Sequence, residues 1–185
     1  MFEFEELKEV CRQACHERNA CKPGFEALMR AETTAELMHV WRQNWQDIYQ
    51  SKFSDVMAEH IVRFHNSARL AREMRRSDVF VNESSERGLV IVCQPDRKIS
   101  VGGTAKCYVF GDGPAEIAAT DHAQVFCRSS RVRITLRGYA TAVVGAGDCE
   151  LFDRSFLKGT PDSVAIHGAA RFEGNSGAAG GNVKM

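Results

Sequence analysis

Seven cysteines and six histidines are the side chains of this chain best suited to covalent or metal chemistry. Cys11 and Cys15 stand four residues apart on one predicted helix face, with His16 and Cys21 close by. A Cys-x3-Cys pair holds zinc when a second ligand pair converges on it. No second pair follows, and Cys11 and Cys15 fall on an apolar stripe, so they read as buried structural cysteines. A cysteine nucleophile needs a thiolate beside a histidine and an orienting carboxylate or amide. Cys107, Cys127 and Cys149 occupy inward-facing positions of predicted strands, which makes inert thiols of them. His122 follows Asp121 in a turn, where Asp is favoured for backbone reasons. His16, His39, His60, His65 and His167 share no spacing. Gly145-Ala146-Gly147-Asp148 lacks the helix and the lysine of a phosphate loop. Gly111-Asp112-Gly113 occurs once, not iterated as in a calcium-binding β-roll. The reading is that of a non-enzyme: no catalytic residue, no metal and no cofactor is expected.

Charge points the same way. Lys plus Arg and Asp plus Glu number 24 each among 185 residues, so no net field recruits nucleic acid or an anionic membrane. Arg128, Arg131, Arg133 and Arg137 form the largest local positive run. With Arg131 and Arg137 at opposite ends of one strand they are a scatter rather than a groove, and nucleic acid is not an expected partner. Neither a signal peptide nor a membrane span is read from the sequence, and a soluble, cytoplasmic protein without a disulfide framework is expected.

Two periodicities divide the chain. Residues 1–78 read as a helical domain. The first helix runs from about Glu3 to Glu17, and Lys22-Pro23-Gly24 breaks it before a short helix over Phe25–Arg30. Thr33 with Glu36 is a capping box opening a helix to about Gln50 that buries Leu37, Val40, Trp41, Trp45 and Ile48. Another helix starts near Ser54 and continues toward Met74.

Over residues 79–173 the period becomes two. One inward set is Leu89/Ile91/Cys93, Ala105/Cys107/Val109, Ala123/Val125/Cys127 and Ala140/Ala142/Val144, recurring at offsets of 16, 18 and 17. The other is Ile99/Val101, Ala115/Ile117/Ala119, Val132/Ile134/Leu136 and Cys149/Leu151, recurring at 17 and 17 from Ala115. The fold class is therefore α+β: a small N-terminal helical domain followed by a short β-solenoid (a β-helix or β-roll) of about 17 residues per coil, two strands and two turns in each. The period fails after Phe152, so Phe156–Pro161 reads as an insertion or capping loop. Residues 174–185, rich in Gly and Ala, read as a disordered tail.

Stacking converts outward residues into rows. Tyr108, Phe126 and Val143 form an apolar stripe whose exposed area is expected to pack under the helical half or against another chain, in preference to serving as a ligand platform. Glu116, Arg133 and Glu150 form a row of alternating charge. These six are the candidate interface residues.

The layout resembles uncharacterised proteins of gut Bacteroidales and their mobile elements, which pair a short helical segment with β-helical repeats. The resemblance rests on Leu7, Cys11, Ala20-Cys21, Gly24, Leu28, Ala31 and Ala35-Glu36-Leu37, and on the Ala-x-Val-x-Val beats that follow. It implies the fold and brings no catalytic residues with it. The expected function is a non-enzymatic protein-interaction or scaffold module that self-associates, a homo-oligomer, through its solenoid. One alternative is an inhibitor or sponge from a phage or mobile element, binding a host defence protein or a small nucleotide. Another is an enzyme with a site at the helix–solenoid junction.

Overall fold

The computed structural model describes residues 2–17, 21–94, 96–111, 113–174 and 182–184. They divide into two compact units, Met1–Val81 and Asn82–Met185.

The first unit holds α1 (Phe2–Glu17), α2 (Lys22–Arg30), α3 (Thr34–Gln50), α4 (Phe53–His65), α5 (Ala68–Arg76) and the short strand β1 (Val79–Val81). Pro23 does not end a helix here; it sits in the first turn of α2, where its missing N–H costs nothing. The capping box at α3 is formed in full. The Glu36 N–H donates to Thr33 Oγ1 and the Thr33 N–H donates to Glu36 Oε2, each at 3.2 Å. The helix expected to run from Ser54 to Met74 is two, separated at Asn66-Ser67, the turn residues its apolar period had masked. Leu7, Leu37, Trp41, Trp45, Ile61, Leu70 and Met74 are buried in this unit. Val40 and Ile48, expected in the core, are half-buried.

The second unit is a β-solenoid of about five turns. Its strands are β2 (Leu89–Val92), β3 (Arg97–Val101), β4 (Lys106–Val109), β5 (Ala115–Ala119), β6 (Gln124–Cys127), β7 (Val132–Leu136), β8 (Thr141–Val144), β9 (Asp148–Leu151), β10 (Phe156–Gly159), β11 (Ser163–Ile166), β12 (Arg171–Gly174) and β13 (Asn182–Lys184). Even-numbered strands run in order through one parallel sheet and odd-numbered strands from β3 through another. Each coil gives one strand to each sheet. Inward residues Cys107, Val125, Ala142 and Leu157 pair in sequence through the first sheet, all buried. Ile99, Ile117, Ile134 and Cys149 do the same in the second. Small inward residues let two parallel sheets approach and still exclude water.

The corner leading from the second sheet back to the first is a four-residue turn of constant length. Its second residue is left-handed in every coil: Gly103, Asp121, Gly138, Asp153 and Gly168, with φ of 51, 57, 66, 59 and 72°. The column alternates Gly and Asp for a reason. The Asp121 carboxylate accepts the Gly103 N–H at 3.2 Å and the Asp153 carboxylate accepts the Gly138 N–H at 3.0 Å. A Cβ on Gly138 would sit 3.2 Å from the Asp121 backbone nitrogen. Ala105, Ala123, Ala140 and Ser155 close the same turns and are fully buried.

The opposite corner contracts. Five residues separate Cys127 from Arg133, but three separate Val144 from Asp148, and each pair joins the same two rows. The repeat therefore shortens from 17 (Gln124 to Thr141) to 15 (Thr141 to Phe156, and again to Arg171). Three expectations are corrected. Phe156–Gly159 is not an insertion; it is β10, paired on β8. Cys149 pairs with Ile134, not with Val132. In the first coil Val90 and Val92, rather than Leu89 and Ile91, align with Cys107 and Val109. Leu89–Val92 is an unbroken apolar run, buried at all four positions, so no alternation marks its faces. The tail is also revised where it is described. Gly174 closes β12, and Asn182–Lys184 pairs with β11; the rest of that expectation falls on 175–181 and 185, outside the described residues.

Candidate functional site on the outer faces of the solenoid

Parallel register turns each outward position into a row. On the first sheet one row runs Tyr108, Phe126, Val143, Lys158, Glu173. Beside it run Lys106, Gln124, Thr141, Phe156 and Arg171. The Tyr108 and Phe126 rings stack 4.7 Å apart and nearly parallel. Along that row exposure rises steeply. Tyr108 is 2% exposed, Phe126 is half-buried and Val143 is 48% exposed. Tyr108 is therefore a core residue of the chain, although its parity faces it outward. Phe126, Val143 and the half-buried Phe156 make the apolar patch, and the Lys158–Glu173 ion pair at 3.1 Å borders it.

On the second sheet the charged row is real but composed differently. Lys98 pairs with Glu116 at 3.1 Å, and Glu116 aligns with Arg133. Arg133 then aligns with Asp148, to which Ser163 Oγ donates. Glu150 leaves the row because of the two-residue contraction. It aligns with Thr135 and lies 3.3 Å from His167 Nε2. Arg131 and Arg137 flank β7 at its two ends, with only Arg133 between them, so the basic run is no continuous path.

The constant corner carries a second ladder that sequence reasoning passed over. At the third turn position His122 stacks on Tyr139 at 5.3 Å, and Arg154 Nη1 donates to the Tyr139 hydroxyl at 3.1 Å. At the first position the Arg137 guanidinium lies 4.1 Å from the centroid of Phe152, which stacks on His167 at 4.5 Å. Tyr139 is 51% exposed. The signal was present in the recurring turn: His122, Tyr139 and Arg154 hold one position of it, just as Arg137, Phe152 and His167 hold another.

The cysteines stay apart from both ladders. Burial pushes Cys11 and Cys149 up to about 12 and Cys93 and Cys127 up to about 11. Cys107 moves the same way for the same reason. Among the described residues no three His, Cys, Asp or Glu side chains come together as a metal site requires. His122 and Asp121 are neighbours in the exposed corner, with the Asp121 carboxylate engaged by Gly103 and Thr120. Among the described residues no helix is long and apolar enough to cross a membrane. No family model, no curated protein and no solved structure matches the chain.

Proposed function

We propose that the chain is a protein-interaction module that self-associates through the outer face of the first solenoid sheet. The observation that carries this reading is Val143, half exposed in the middle of a sheet, with Phe126 and Phe156 beside it and the Lys158–Glu173 pair at the border. An apolar centre inside a charged rim is the anatomy of an interface. A two-fold contact lays the patch on its own copy and brings Lys158 of one chain toward Glu173 of the other. The patch is small, which suits a reversible dimer rather than an obligate one. Light scattering across a concentration series tests it. A mass that rises with concentration, and a Val143→Glu variant that stays monomeric with unchanged circular dichroism, is the expected result. A strict monomer at high concentration overturns it.

A second reading is favoured by the corner ladder. Stacked rings interleaved with guanidinium groups suit a planar anionic ligand such as a small nucleotide, the target of the sponge alternative. Titration with nucleoside phosphates, followed by quenching of Tyr139, is the measurement. Binding that is lost in Tyr139→Ala supports this reading, and no binding sinks it.

A further inference from the structure

We propose that the helical unit carries a binding cavity for a small aryl-alkyl amine, between α1, α2, α3 and the start of α4. The cavity has a volume of about 190 Å³. Its wall is apolar and soft: Cys11, Ala14 and Cys15 from α1, Leu28 from α2, Trp41 from α3 and Met57 from α4. An apolar cavity of about 150 Å³ takes one benzene ring. This one therefore accommodates a single ring with a short side chain.

The rim fixes the chemistry of the other end of the ligand. It consists of Asn44 and Asp47 in the last two turns of α3 and Ser51 at its C-cap. The Asn44 amide nitrogen already donates to the Val40 carbonyl at 2.8 Å, which leaves Oδ1 as an acceptor. That oxygen lies 3.7 Å from where a Cβ on Gly24, another lining residue, would stand. Ser51 Oγ donates to the Asp47 carbonyl at 2.6 Å. Asp47 adds a carboxylate, and among the described residues no cation forms an ion pair with it. A helix C-terminus carries partial negative charge and is normally complemented by a basic side chain. The last turn of α3 has none. Lys22, Arg42 and Lys52 do not line the cavity, and Arg42 pairs with Asp78 instead. The rim thus presents acceptors and negative charge, and a cationic ammonium at the end of an aromatic ring fits both parts.

Three probes of one size separate the classes: phenethylamine, ethylbenzene and phenylacetate, read by the melting temperature and by Trp41 fluorescence. The expected result is saturable binding of phenethylamine at roughly millimolar concentration or below, weaker binding of ethylbenzene and none of phenylacetate. In Asp47→Asn, at an exposed position, phenethylamine should bind about tenfold more weakly while ethylbenzene is unchanged. Ala14→Leu fills the cavity and should abolish binding of both. If that variant fails to fold, Val40→Phe fills it from the half-exposed wall. No saturable binding of phenethylamine, equal binding of phenylacetate, or binding that survives the cavity-filling variant overturns the proposal.

Discussion

The thiols are where single residues carry measurable consequences. Cys21 is exposed and Cys15 half-buried, whereas Cys11, Cys107, Cys127 and Cys149 are buried. In the folded protein a thiol reagent should label Cys21 fast, Cys15 slowly, and the four buried thiols only after denaturant is added. Peptide mapping of the labelled sites checks this, and rapid native labelling of Cys107 would contradict it. A thiol held near 11 or 12 in the fold, against an ordinary value of 9.0, keeps its proton when the unfolded chain has lost it. Its contribution is complete below pH of about 9 and is lost as pH rises toward 11 to 12. The urea midpoint should therefore fall between pH of about 7.5 and about 10, and fall less in Cys107→Ala, which removes one such group.

At the level of elements, two local devices specify the fold and both can be tested. Thr33→Ala removes the acceptor for the Glu36 N–H and should cost about 1 kcal/mol in chemical denaturation. Asp121→Ala removes both the residue type that tolerates a left-handed φ and the acceptor for the Gly103 N–H. It should cost on the order of 1–3 kcal/mol, with Asp121→Asn recovering most of the loss. The capping box was plain in the sequence because a cap is local: Thr33 and Glu36 need nothing beyond themselves. The solenoid was legible because its inward residues are small or aliphatic at steady intervals. Glu150 was misplaced because its row depends on the length of a corner, and Gly145–Gly147 is two residues shorter than its counterpart at Arg128–Val132. Parity gives the direction of the Tyr108 side chain and not what covers it, so its burial, one of the outcomes expected of the stripe, could not be told in the sequence from the exposure of Val143.

Across the whole molecule, the repeat makes the second unit quasi-one-dimensional, each coil held by its neighbours. Thr141 aligns with Phe156, and Asp148 with Ser163, at the same offset of 15. Deleting residues 141–155 therefore removes one coil and lands β10 on β6 and β11 on β7 in register. The shortened protein should fold cooperatively with a lower melting temperature. Deleting 14 residues from the same place should abolish folding, because a shift of one residue turns every inward side chain of the following strands outward. Circular dichroism and thermal melts distinguish the two outcomes, and equal behaviour of both deletions would refute the register.

The contracting corner has a further consequence for growth. Parallel strands with open edges invite another chain to continue the sheet, and head-to-tail addition of identical copies makes a fibre. Such addition needs a coil of one copy to serve as the template for a coil of the next. Here a 15-residue coil would have to seat one of 17 or 18, and the corner that differs between them would carry backbone groups with no counterpart. The taper is thus a mismatch between the bottom and the top of the stack. The proposed contact between flanks, where Val143 lies, does not meet this mismatch.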